Sequence, residues 1–142
     1  MNIFKRISTI SVLAVVLGVT LFGQSLPMGK WQLVSYKFTD KIEKPLDGIK
    51  ITLNVNKNGH LGGNSGCNAF GGSYAVEDGK LKISDLISTM MACEEPTPKF
   101  ESSFFSTLSN GTSSTVTDGE LTITDPVTHH FLRFVEITPE HK

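Results

Sequence analysis

The 142-residue sequence has no run of positive charge, no C-x-x-C or H-x-x-x-H spacing, and no apolar stretch as long as the ~20 residues that span a bilayer. Each absence excludes something. Lys and Arg number 13 against 14 Asp and Glu, and the lysines are scattered. Nucleic acid and anionic membrane surfaces both need a basic patch, so neither is expected as a partner. Structural zinc wants four closely spaced ligands. Here the only cysteines are Cys67 and Cys93, while His60 and His141 stand alone. His129 and His130 are adjacent, which on a strand would send the rings to opposite faces. Paired carboxylates, a nucleophile–base set and a metal cluster are all missing, so the expectation is a protein without cofactor or catalytic activity.

What is present begins with a leader-like N-terminus. Lys5 and Arg6 precede an uncharged apolar run from Ile7 to Phe22, and Gly23-Gln24-Ser25 follows. Basic, apolar and then small residues are the order of a cleaved export signal, here residues 1–25. Ser8, Thr9 and Ser11 further weaken a membrane-anchor reading. No cysteine follows the apolar run, so the lipid-attachment residue is missing too. The remaining residues 26–142 carry a net charge of −3, because the leader holds two basic residues and no acidic one. That length suits one domain with one modest core, expected outside the cytoplasm as a monomer, periplasmic or secreted.

The body of the chain reads mainly as strand. Trp31 to Tyr36 is rich in β-formers, and Ile49 to Val55 alternates strictly between apolar and polar, as a half-buried antiparallel strand does. Asn58-Gly59 turns the chain toward Gly62-Gly63, while Asp78-Gly79 and Asp118-Gly119 lie between such segments and signal tight hairpins, because Asp and Gly accept positive φ cheaply. A last hairpin is expected to turn at Asp125-Pro126 and return through His130 to Val135. One helix interrupts the strands. Thr97 is placed to cap it, Pro98 to occupy its first turn, and Asn110-Gly111 to end it. Phe100, Phe104 and Leu108 form an apolar stripe along it, read as packing onto the sheet rather than as a ligand wall. The expected fold is an antiparallel meander of about seven strands, a curved sheet or partly open barrel with one packed helix. Trp31, Ile51, Leu53, Phe70, Tyr74 and Phe104 are expected to share its core.

The most specific pattern is Gly66, Cys67, Asn68, Phe70, Gly72 and Tyr74, followed by Thr89-x-Met91-x-Cys93. Together with Gly29-x-Trp31-x-Leu33, it resembles the META domain, a family that includes heat-shock proteins of the HslJ type. The resemblance covers nearly all of residues 26–142. It implies a small barrel-like β fold, association with the bacterial envelope, and tolerance of stress and some toxic compounds. It brings no catalytic residues.

The motif also has a reading of its own. Two cysteines in an exported chain usually pair, and closing this loop would stabilise the fold by roughly 3–4 kcal/mol. Two buried free thiols and a metal pair are the alternatives. Gly62, Gly63, Gly66, Gly71 and Gly72 suit bulges and close backbone approach, and Asn64 and Asn68 suit bonds to nearby backbone. A phosphate loop would want Lys-Ser/Thr and a following helix, and neither is there. A Cys67 nucleophile would want a base, and only His60 lies near in sequence. The sequon Asn110-Gly111-Thr112 is read as incidental. The function expected is a non-catalytic envelope module binding a protein, a peptide or a hydrophobic small molecule. An inhibitor of an envelope-directed enzyme and an enzyme of unfamiliar type are the alternatives.

Overall fold

The computed structural model describes residues 25–138. The expected leader, except Ser25, and His141 lie outside these residues.

Eight antiparallel strands make one sheet: β1 (Gly29–Lys37), β2 (Thr52–Val55), β3 (His60–Asn64), β4 (Ala69–Glu77), β5 (Lys80–Ser88), β6 (Ser113–Thr117), β7 (Glu120–Thr124) and β8 (Phe131–Glu136). The order is β5-β4-β3-β2-β1-β8-β7-β6. The chain therefore meanders outward from β1 to β5, crosses over through helix α1 (Thr97–Asn110), and meanders back from β6 to β8 beside β1. The sheet curls into a half-barrel, and its two edges meet where the Leu81 N–H donates to the Thr112 carbonyl at 3.0 Å. Curling lets a single sheet wrap its own apolar face, with α1 laid across β5, β7 and β8.

The three Asx-Gly sites turn the chain as expected. Asp78 and Gly79 adopt φ of 52° and 73°, Asp118 and Gly119 adopt 52° and 76°, and Gly59 adopts 80°. At the two Asp-Gly sites, positive φ at both central residues gives a turn whose twist matches that of the strands it joins. At the β7–β8 turn the Asp125 side chain takes over: Oδ1 accepts from the Val127 N–H at 2.9 Å and Oδ2 from the Thr128 hydroxyl at 2.8 Å. His129 and His130 belong to this turn, not to the strand, and His129 sits at φ 60°.

The core holds Trp31, Ile51, Leu53, Phe70 and Phe104, with Leu33, Leu81, Leu108, Leu121, Ile123, Leu132 and Phe134. Tyr74 is a correction: it only flanks this cluster, because its hydroxyl reaches outward to donate to the Asn56 carbonyl at 2.6 Å. The alternating segment 49–55 is ladder only from Thr52. A Leu46–Ile49 turn, with Gly48 at φ 80°, lifts Ile49 off the sheet. The helix start also differs from expectation. Pro96 stands at the cap position, Thr97 is the first helical residue, and no side chain caps the helix. Gly111 ends it in an extended conformation, not a left-handed one. Its hydrogen is needed for space, since a Cβ there would meet Ile123 Cγ2 at 2.5 Å.

Candidate functional site

The motif residues converge where the β3–β4 turn, the segment after β5 and the first turns of α1 meet. Asn68 is buried and is the hub. Its Oδ1 accepts from the Thr89 hydroxyl at 2.9 Å and the Met91 N–H at 2.8 Å, tying the two halves of the motif together. Its Nδ2 donates to Glu101 Oε2 at 2.7 Å. Glu101 Oε1 accepts from the Ser65 hydroxyl at 2.6 Å, the Asn68 N–H at 2.8 Å and the Cys67 N–H at 3.2 Å. A carboxylate on the helix thus fills the ring of donors presented by the 65–68 turn. Burial on its own would push the Glu101 carboxyl up, but the donors from Ser65, Asn68 and Cys67 outweigh it and hold the group below the ordinary glutamate range.

The remaining motif positions serve the same junction. Cys67 and Cys93 stand at disulfide distance, their Cα atoms 6.3 Å apart, and both are half-buried. Gly66 sits at φ 118°, with its N–H bonded to Asn64 Oδ1 at 2.8 Å. Phe70 packs edge-on against Phe104 and Phe105, with centroids 5.6 and 5.4 Å away. Gly72 faces β5, where a Cβ would come within 2.8 Å of Leu86 Cδ2. Thr89 also bonds back to β4, its N–H donating to the Ala69 carbonyl at 2.9 Å. His60, exposed on β3, takes no part in this network.

Sequence reasoning missed Glu101 and Ser65. A signal for Glu101 existed, because residues 97, 101, 104 and 108 follow the helical repeat and so share one stripe. An acid on an otherwise core-facing stripe asks for buried donors. Nothing in the local pattern marks Ser65.

Beside this junction lies a groove of about 510 Å³ between the end of β1, the β1–β2 connection and the start of α1. Gly66 and Thr97 line the side it shares with the motif. Tyr36, Phe38 and Phe100 form its aromatic wall, with ring centroids 4.6, 5.0 and 5.6 Å apart. All three are only half-buried. Leu46 and Ile49 supply aliphatic surface, and Glu43 and Lys99 are charged lining residues. Glu43 is held by two backbone bonds with Tyr36, each 2.9 Å. Burial and then the Glu43 charge push the Tyr36 phenol above its usual range. The Phe100 end of the helix stripe is therefore both packing and wall. A second, shallower hollow of about 330 Å³ lies on the Met90–Cys93 side of the motif.

Among the described residues, no group of three or more His, Cys, Asp or Glu is placed to hold a metal, and no helix is long and apolar enough to cross a membrane.

A half-barrel pinned at this Asn–Thr–Cys junction defines a class. The META domain family model matches residues 24–137, and the chain belongs to the META domain family. Among solved structures, a protein from Burkholderia xenovorans is 30% identical, with 78% of this chain and 82% of that one covered and a TM-score of 0.65. Another structure determined by NMR is 21% identical over 76% of this chain and 88% of its own, with a TM-score of 0.59. A DUF4847 family protein from Bacteroides vulgatus is 13% identical over 87% of this chain and all of its own, with a TM-score of 0.55. The last two are likenesses of fold alone. No protein of curated function matches the chain.

Proposed function

We propose that this META domain is an exported, non-catalytic binding module that contributes to tolerance of stress or toxic compounds, with the groove between β1 and α1 as its binding site. The groove carries the reading. Its volume falls within the range of small-ligand sites, and its wall is aromatic and aliphatic with few polar groups. Three half-exposed aromatic rings at the mouth of a rigid sheet offer contact area at little cost in side-chain order. Export is supported by the leader pattern and by a cysteine pair at bonding distance, which persists outside reducing compartments.

An NMR titration of the mature domain with an apolar dye should move the amide signals of Phe38, Leu46, Ile49 and Phe100. Intact-mass analysis of envelope and culture fluid should find a chain starting near Leu26. Steady turnover of a defined substrate, lost on changing one ionisable residue, would refute the non-catalytic reading.

A further inference from the structure

The two charged residues of the groove come from different elements. Glu43 belongs to the β1–β2 connection and is fixed against Tyr36 by the paired backbone bonds. Lys99 belongs to the first turn of α1, next to Phe100. The ion pairs found among the described residues are Lys82–Glu77 and Arg133–Glu120, so neither groove charge is in an ion pair among those residues. The helix start strengthens the positive side. It has no acidic residue in its first turn and no side-chain cap, so its dipole acts with Lys99. On the other side, the aromatic ring faces add to the attraction of Glu43 for a cation.

We infer, resting on the binding-module reading above, that the groove takes a short amphipathic zwitterion of the kind formed by an apolar dipeptide or tripeptide with free ends. Its ammonium lies between Glu43 and the Tyr36–Phe38–Phe100 rings. Its carboxylate lies toward Lys99 and the start of α1, and its apolar side chains lie against Leu46 and Ile49. A purely cationic ligand would leave Lys99 facing a like charge, and a purely anionic one would do the same to Glu43. A dipolar ligand with an apolar body answers both walls at once.

The test uses one scaffold in four charge states: phenylalanyl-leucine with free ends, its N-acetyl form, its C-amide form and the doubly blocked form. Each is titrated into the mature domain with NMR mapping of the groove. The free zwitterion should bind tightest, and each blocked end should weaken binding by about threefold, the size of one exposed charge pair. Glu43→Gln should erase only the advantage of the free amine, and Lys99→Gln only that of the free carboxylate. Both residues are exposed, so neither variant threatens the fold. Equal binding by all four forms would overturn the zwitterion assignment and leave the binding reading standing. Tightest binding by a singly charged form would also overturn it. No binding by any form, and none by the apolar dye, would remove the binding reading itself.

Discussion

Asn68 and Glu101 are the residues through which this fold is fastened. A buried carboxylate without a cation is tolerable only when its oxygens are saturated, and four donors from Ser65, Cys67 and Asn68 do this. Glu101→Gln puts an amide N–H₂ where an acceptor is required and should cost about 2–3 kcal/mol at neutral pH. The pH dependence follows from the direction of the shift. Because the folded carboxyl is held below its ordinary range, the unfolded chain takes up the proton first as the solution is acidified. The stabilisation is whole above the unfolded value of ~4.3 and is lost as pH falls through the folded one. The Asp125 carboxyl is also held low: the Thr128 and Val127 donors outweigh a burial effect that would raise it, so it adds slope in the same acidic window. Urea midpoints at pH 7 and pH 3 should fall further in the wild type than in Glu101→Gln, and equal falls would contradict this role. The sequence marks Asn68 as a motif residue and as one suited to nearby backbone bonds. Its partners are instead Thr89, Met91 and Glu101, more than 20 positions away. Such contacts follow from the curl of the sheet and leave no periodic trace.

At the scale of elements, the hairpins were legible because an Asx-Gly pair between alternating segments encodes a turn locally, as at 78–79 and 118–119. The helix was legible through its stripe, but its start was misplaced by one residue. Thr97 looks like a cap in sequence, yet the structure turns its side chain to the groove and leaves Pro96 at the cap. Phe104 is fully buried among Phe70, Phe100 and Phe105. Phe104→Ala should therefore lower stability by about 3–5 kcal/mol in chemical denaturation, and no change would place the stripe against solvent. The cysteine pair ties the β3–β4 turn to the segment entering α1. An unreduced digest of the native protein should yield the Cys67 and Cys93 peptides linked, and replacing both by Ala should lower the melting point. Recovery of two free thiols would contradict the linkage.

At the scale of the molecule, a meander of antiparallel strands with one helix could be read from alternation and turn spacing. The order in the sheet could not, because β1 pairs with β8 across nearly the whole chain. The groove was equally hidden. Tyr36 stands near the end of one strand and Phe38 just past it, Ile49 follows an irregular turn, and Phe100 lies in the first turn of the helix; only the closed fold brings them together. The same closure sets the fastened motif against the groove, since Gly66 belongs to both and Thr97 lies beside it.

The central claim, that this groove is where the protein does its work, is tested most directly by blocking it in cells. Ser103 lines the groove from the helix, half-buried and outside the Asn68–Glu101 network. Survival under heat and under a hydrophobic antibiotic would be compared for cells carrying the wild-type gene, a deletion, and Ser103→Trp expressed at the wild-type level. The account predicts that the folded Ser103→Trp protein leaves cells as sensitive as the deletion does. Full tolerance with the groove filled, or a deletion that sensitises cells to neither challenge, would contradict it.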